Sequence, residues 1–159
     1  AEVVQATDRF AAEHRSAPVK FNIEIKSEPE LYGAYQPMPV PFAARVLDAI
    51  AELRIGKRCL VQSFDVAALN AAHATAADMP VALLVDNTKG LEANLQGLDF
   101  TPQYYSSNFT LVDEVLLHAL REKEIGLLVW TVNEIKDIQQ MIALGVDGII
   151  TDHPERILA

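Results

Sequence analysis

The sequence predicts an α/β fold in which parallel strands are covered by helices. Short apolar runs alternate along the chain with segments whose apolar residues recur at helical spacing, which is the pattern of repeated β-then-α units. Three of the runs, at 59–61, 81–85 and 127–130, are almost continuously apolar, as strands buried on both faces are. Polar residues follow these strands, as in a (β/α)8 barrel or an open parallel sheet. No glycine-rich phosphate-binding loop follows any of them, which argues against a nucleotide site.

The predicted elements follow one another in a regular order. Apolar residues at helical spacing predict helices at 1–13, 41–53, 66–76, 110–122 and 134–143. Strands are predicted at 21–26, 58–64, 81–86, 127–132 and 146–151. Pro41 suits a helix start, Asp65 suits an N-cap, and Gly56 and Gly145 suit helix ends. Residues 90–98 are predicted to be weakly helical, 100–109 to be a loop or short extended piece, and 154–158 to be one helical turn.

Composition limits the kinds of partner. The 159 residues are enough for a single domain over 1–159, and at 50% hydrophobic the chain is globular rather than disordered. The net charge of −9 argues against nucleic acid, because no basic stripe offsets the repulsion of phosphates. No apolar stretch reaches the length of a membrane span, and the first residues do not indicate a compartment. The single cysteine, Cys59, lies in an apolar run and is predicted to be a buried core thiol.

The strand at 21–26 carries the most informative pattern in the chain. Side chains alternate between the two faces of a strand, so Asn22, Glu24 and Lys26 share one face. In a chain of repeated β-then-α units, both faces of a strand are usually covered. A carboxylate and an ammonium on a buried face cost several kcal/mol each unless they are paired or bound to a metal, which predicts a site here. The alternative is a surface strand that carries an ordinary ion pair.

Four segments, in this order, resemble the glycerophosphodiester phosphodiesterase family. They are NIEIK at 22–26, QSFD at 62–65, VWTVN at 129–133 and GVDGIITD at 145–152. The resemblance implies a (β/α)8 TIM-type barrel, of which this chain supplies roughly strands 4–8 with their helices, the first three βα units being absent. It also implies metal-dependent hydrolysis of a small-molecule glycerophosphodiester to glycerol 3-phosphate and an alcohol.

The resemblance also implies roles for individual residues. Glu24 is expected to be a carboxylate ligand of a divalent cation, Ca or Mg, and Lys26 to approach the substrate phosphate as a point charge. Both residues are expected to be catalytic. Phe64 and Trp130 are expected to line the substrate pocket, with Trp130 beside the glycerol. The chemistry agrees, because hard cations prefer carboxylate oxygens and a cation beside a phosphate stabilises charge that develops on its oxygens.

The chain departs from the family pattern in its catalytic groups. The family's His-Arg-Gly motif, the Glu and Asp on its next strand and its further His have no counterpart in the required context. The pair His14-Arg15 is followed by Ser16 and lies only a few residues before the strand at 21–26, so it is predicted to end a helix. We therefore expect this chain alone to be inactive, and we expect either a missing N-terminal barrel segment as its partner or self-association.

Three other functions compete with hydrolysis. A phospholipase-type lyase of similar barrel would release a cyclic phosphate instead of glycerol 3-phosphate. A Schiff-base aldolase would use Lys26 as a nucleophile, but Glu24 nearby argues against it because a carboxylate favours the charged amine. A catalytically incomplete fragment would bind a phosphodiester without turning it over.

Overall fold

The structure, a computed structural model, describes residues 1–14 and 16–158. The chain divides into two compact units, Ala1–Pro80 and Val81–Ala159, and each is described by itself. The single domain expected over residues 1–159 stays a prediction. Within the described residues, no helix has the length and apolar character that crossing a membrane requires.

Within its described residues, the first unit contains two parallel strands and three helices. In chain order they are α1 (Glu2–Glu13), β1 (Phe21–Glu24), α2 (Pro39–Glu52), β2 (Cys59–Ser63) and α3 (Val66–Thr75), with 3-10 turns at Pro29–Leu31 and Gly56–Arg58. Strands β1 and β2 pair so that Glu24 lies beside Gln62. The amide of Ile25 continues the ladder by donating to the carbonyl of Gln62 at 2.8 Å.

The core of this unit lies on one face of the strand pair. Ile25 and Val61 point into it and pack with buried residues of α2 and α3, among them Leu47 and Ala68. Burial of these apolar side chains drives the packing, at about 25 cal/mol per Å² of apolar surface. Cys59 belongs to the same core, and its burial raises the pKa of the thiol, so the prediction of a core cysteine is confirmed.

The described part of the second unit contains four strands and three helices. In chain order they are β3 (Val81–Val85), α4 (Leu91–Leu95), β4 (Tyr104–Asn108), α5 (Glu114–Glu122), β5 (Gly126–Trp130), α6 (Ile135–Leu144) and β6 (Gly148–Ile149), with 3-10 turns at Phe109–Leu111 and Pro154–Leu158. Each strand pairs in parallel with the next one along the chain. The prediction of parallel strands followed by helices is therefore confirmed in both units.

One strand was missed by the sequence prediction. Residues 100–109 contain β4 rather than a loop, so the described residues hold six strands, and the count that gave strands 4–8 was wrong. The sequence of β4 is Tyr-Tyr-Ser-Ser-Asn, which has no apolar run, yet Tyr105, Ser106 and Ser107 are buried. Because β4 lies between β3 and β5, side chains of its two neighbours flank its short hydroxyl side chains on each face, and their burial follows from this position rather than from hydrophobicity.

The helix ends agree with the sequence in most places. Asp65 caps α3 as predicted, and its side chain accepts from the amide of Ala67. Gly145 ends α6 in the left-handed conformation, φ 87°, which glycine adopts without strain. Gly56 was wrongly expected to end α2, because the helix already stops at Glu52 and Gly56 begins a 3-10 turn. The predicted helix end at His14 is confirmed, whereas Arg15 lies outside the described residues.

Candidate active site

Three of the four predicted site residues lie at the strand ends of the first unit. Glu24 is the last residue of β1, Lys26 follows two positions later, and Phe64 comes directly after β2. The parallel register puts Asn22, Glu24 and Gln62 on one face. Asn22 Nδ2 donates to Gln62 Oε1 at 2.9 Å, which holds the two amides together below Glu24.

The burial expected for this face is wrong. Asn22, Glu24 and Lys26 are all exposed, and Phe64 keeps 49% of its surface accessible. Helices α2 and α3 cover the opposite face of the pair, where Ile25 and Val61 form the core, so charged groups can stay in water at little cost. The assignment of Glu24 and Lys26 therefore depends on their position and family pattern, not on buried charge.

A buried hydrogen-bond network lies behind the exposed face. Ser27 and Asp65 each follow directly after a predicted site residue and point the opposite way, and Ser27 Oγ donates to Asp65 Oδ2 at 2.5 Å. Ser63 Oγ donates to the carbonyl of Ile25 at 2.6 Å and accepts from the amide of Asp65 at 3.1 Å. These bonds join the ends of β1 and β2, so they fix the backbone that carries Lys26 and Phe64.

The loop after β1 is tied to the same network. Tyr32 donates its hydroxyl hydrogen to Asp65 Oδ2, and Gln36 Nε2 donates to Ser27 Oγ at 3.2 Å and to the carbonyl of Glu28 at 2.7 Å. Burial and the neighbouring Asp65 carboxylate raise the pKa of Tyr32 to about 12, so the phenol stays protonated as a donor. Asp65 therefore caps α3, connects the ends of β1 and β2 through Ser27, and holds the loop after β1 through Tyr32.

Trp130 lies at the end of β5 in the second unit. Its indole Nε1 donates to the carbonyl of Ser106 at 2.9 Å, which fixes the ring against β4. Asn108 pairs with Trp130 in the strand register. Asn108 Nδ2 donates to Asp86 Oδ1 at 3.1 Å, so three strand ends present side chains on this face.

The end of β5 is joined to the end of β6 by Asn133. Its Oδ1 accepts from Thr151 Oγ1 at 3.1 Å and from the amide of Asp152 at 3.0 Å, and its Nδ2 donates to Asp152 Oδ2 at 2.9 Å. Arg156 donates to the carbonyl of Asn133 at 2.5 Å. The family-like segments 129–133 and 145–152 are thus held together by side-chain hydrogen bonds.

Sequence reasoning did not find several of these positioning groups. Ser27, Tyr32, Gln36 and Asn108 are common loop and strand residues, and nothing in their spacing indicates a long-range partner. A weak signal existed at Asp65, because an N-cap aspartate uses only one carboxylate oxygen and leaves the other available.

Parallel strands followed by helices, with carboxylate, ammonium and aromatic groups at the strand ends, are the features of TIM-like barrel enzymes. The chain belongs to the glycerophosphoryl diester phosphodiesterase family, whose model matches residues 3–156. The resemblance recognised in the sequence is therefore confirmed. Members of this family have a TIM-like barrel, and the parallel strands of both units are consistent with part of one.

Named relatives agree with this membership. The chain is 28% identical over 141 residues to the glycerophosphodiester phosphodiesterase of Caldanaerobacter subterraneus subsp. tengcongensis, covering 86% of this chain and 53% of that protein. A solved structure from Silicibacter pomeroyi, named for the same family, has a TM-score of 0.76 and 29% identity over 96% of this chain and 53% of its own. An Oleispira antarctica phosphodiesterase, solved with sn-glycerol-3-phosphate, has a TM-score of 0.73 at 16% identity, covering 94% of this chain and 57% of its own, so that likeness concerns the fold. The chain spans about half the length of these proteins.

Proposed function

We propose that the protein carrying this chain hydrolyses glycerophosphodiesters to glycerol 3-phosphate and an alcohol, using a divalent cation. The observation that supports this most directly is the family match over residues 3–156, with Glu24 and Lys26 at the carboxyl end of β1. Carboxyl ends of parallel strands are where barrel enzymes hold their reacting groups. Glycerol 3-phosphate is also the ligand in the Oleispira antarctica structure of the same fold.

Glu24 is proposed as one ligand of the cation. Its carboxylate is exposed at the strand end, and carboxylate oxygens are the ligands that Ca²⁺ and Mg²⁺ prefer. Among the described residues, however, no group of three His, Cys, Asp or Glu side chains could hold a metal ion. Glu24 therefore fits as a contributor to a coordination shell that other groups complete. When bound, a cation there would supply stabilisation of charge on the phosphate oxygens.

The other three residues are proposed to bind the substrate. Lys26 lies on the face of Glu24, so its ammonium can meet a phosphate oxygen that approaches the same strand end. Phe64 offers an exposed apolar ring beside that position, and the fixed indole of Trp130 offers an apolar wall for the glycerol carbons.

A second candidate function is phosphodiester binding without turnover by this chain alone. It is favoured by the absence of counterparts to the family's acid and base histidines from the matching segments of the sequence. Under this proposal, the barrel strands that this chain lacks would supply them, either from another segment or from a second copy of the chain. Hydrolysis would then appear only when those strands are present.

The test is a ³¹P NMR assay with glycerophosphocholine and either Ca²⁺ or Mg²⁺, performed on this chain and on the longest natural protein that contains it. We expect glycerol 3-phosphate from the longer protein and none from the chain alone. Glu24→Gln should abolish the metal-dependent turnover, because an amide is a weaker ligand than a carboxylate. Glu28→Gln is the matched control, since Glu28 is exposed four positions away and its side chain has no hydrogen bond among the described residues.

The products and variants separate the alternatives. A cyclic phosphate would support the lyase in place of the hydrolase. Turnover that survives Glu24→Gln unchanged would overturn the role of Glu24, and turnover by the chain alone would overturn its proposed incompleteness. Saturable binding of glycerophosphocholine by the chain alone without any product, together with hydrolysis by the longer protein, would support the binding function of this chain.

A further inference from the structure

We propose that helix α1 forms the interface of a homodimer, in which two copies of the chain pack antiparallel through Val3, Ala6 and Phe10. These three residues, the α1 stripe, recur at i, i+3 and i+7 and therefore lie along one side of the helix. All three are exposed, and Val3 and Phe10 keep 70% and 58% of their surfaces accessible. The contact goes beyond the proposed hydrolysis and uses none of the residues assigned to it.

Helix α1 joins the first unit through a different side. Val4 packs against the core of the unit, and Ala11 is buried. Asp8 accepts two hydrogen bonds from the guanidinium of Arg58, at 2.7 Å and 3.1 Å, which ties α1 to the start of β2. Consecutive helical residues are turned by about 100°, so Asp8 and the α1 stripe lie on nearly opposite sides of the helix. The α1 stripe therefore faces away from β2.

Strand β1 is also open on the side away from β2. The amide of Ile25 donates to β2, and peptide groups point alternately to the two sides of a strand, so those of Asn22 and Glu24 point away from β2. Among the described residues, the backbone groups of Asn22 and Glu24 have no partner on that side. An open strand edge and an uncovered apolar stripe on the same side of one unit indicate a surface that another chain covers.

The charges beside the α1 stripe match a second copy of the same helix. Glu2 directly precedes Val3 and Arg9 directly precedes Phe10; both charged residues are exposed, and neither has an ion-pair partner within the described part of the chain. In an antiparallel pair centred near Ala6, Glu2 of each copy lies beside Arg9 of the other, and the two-fold axis repeats the ion pair. A parallel pair would instead bring like charges together. Exposed ion pairs add little affinity, but they select the orientation.

Phe10 is the anchor of the proposed contact. Its ring stacks on His14 with the ring centroids 3.9 Å apart, so it loses little conformational freedom when a partner covers it. In the antiparallel pair, Phe10 of each copy packs beside Val3 of the other, and the small side chain of Ala6 lets the helices approach to about 8–10 Å. The contact area is small, so we expect a weak dimer with a Kd on the order of 100 μM.

Sedimentation equilibrium of the purified chain, over concentrations from about 5 to 500 μM, measures this Kd directly. We expect a monomer–dimer equilibrium. Phe10→Ala should raise the Kd at least about tenfold, because the symmetric contact is lost twice. Tyr35→Ala is the matched control: it removes another exposed aromatic side chain, 88% accessible in the loop after β1, and should leave the Kd unchanged.

Exchanging the two charges tests the antiparallel orientation. Arg9→Glu places acidic side chains next to each other across the two-fold axis and should raise the Kd about fivefold. The double variant Glu2→Arg/Arg9→Glu restores both ion pairs with reversed polarity and should return the Kd to within about twofold of wild type. A role for these residues within one α1 helix does not predict this recovery. Far-UV circular dichroism checks that each variant keeps its helix content.

Four outcomes would overturn the homodimer. They are a chain that stays monomeric over the whole concentration range, an unchanged Kd for Phe10→Ala, an equal loss for Tyr35→Ala, and no recovery in the double variant. If the monomeric chain instead bound a separate segment of a longer natural protein that contains it, the α1 stripe would belong to that segment. No measurement here involves turnover, so failure of the dimer and failure of the proposed hydrolysis are distinguishable.

Discussion

Replacing the buried Asp65 by alanine should destabilise the protein strongly, because its one carboxylate accepts three hydrogen bonds. Asp65 is only 5% exposed, and its oxygens accept from the amide of Ala67, from Ser27 Oγ and from the hydroxyl of Tyr32. Losing the helix cap costs about 1 kcal/mol. Each buried donor left without an acceptor costs about 1–3 kcal/mol more. We therefore expect Asp65→Ala to lower the free energy of unfolding by about 4 kcal/mol.

Urea denaturation at pH 7, monitored by far-UV circular dichroism, measures the free energy of unfolding, and a thermal melt gives the melting temperature. At this chain length, 4 kcal/mol corresponds to a fall in melting temperature of about 10 °C. Tyr32→Phe removes a single donor, and Ser27→Ala removes a donor that also accepts weakly from Gln36 Nε2 at 3.2 Å, so each should cost about 1–2 kcal/mol. Asp48→Ala is the matched control, because Asp48 is exposed on α2 and its removal should stay within about 0.5 kcal/mol.

The outcome that would refute this reasoning is specific. If Asp65→Ala costs no more than Asp48→Ala, the buried bonds of Asp65 contribute nothing net to the fold. If Ser27→Ala and Tyr32→Phe together cost as much as Asp65→Ala, then the cap on α3 adds nothing to the loop anchor.

Three further predictions concern the Tyr32 loop, the end of β5 and the end of α6. The pKa of Tyr32 is raised from 10.0 to about 12, chiefly by burial and then by Asp65, so its contribution to stability is complete below pH 10 and is lost as the pH rises toward 12. The free energy of unfolding, measured against pH, should therefore fall more steeply in this window for wild type than for Tyr32→Phe; parallel curves would contradict the assignment. Asn133→Ala should cost about 2 kcal/mol and speed hydrogen exchange at the amide of Asp152, and unchanged exchange there would show that the bond does not form in solution. Gly145→Ala should cost about 1 kcal/mol because its φ is 87°, whereas Gly56→Ala, at an ordinary φ and with only ordinary van der Waals contacts for an added Cβ, should cost clearly less. Equal losses by urea titration would argue against backbone strain.

Local features of the fold could be predicted because they depend on short-range periodicity. The apolar runs predicted β2, β3 and β5, and the helical spacing predicted α2 and α6, each within a few residues of its observed bounds. β4 could not be predicted, because its serines are buried by neighbouring strands and not by their own hydrophobicity. The count of strands was wrong for this reason alone.

The site residues divide in the same way. Glu24 and Lys26 were placed at a strand end by alternation and family pattern, and the structure puts them there. The exposure of Glu24 and Lys26 could not be predicted, because a strand that alternates apolar and polar residues has the same sequence pattern whether its polar face is covered or open to solvent. The roles of Glu24, Lys26, Phe64 and Trp130 stay predictions, and the hydrolysis assay with Glu24→Gln tests the first of them.

The sequence by itself determined the family, the alternation of strands and helices, and the cap at Asp65, because these depend on residues a few positions apart. Only the tertiary structure decided what the second oxygen of Asp65 binds, since Ser27 and Tyr32 lie more than thirty positions away along the chain. It likewise decided that Asp86 meets Asn108 beside Trp130, because strand register brings them together across 22 residues of sequence. The physical reason is the same in both cases. The chemistry of a side chain limits what it can bind, whereas strand pairing and loop packing decide which distant side chain lies next to it.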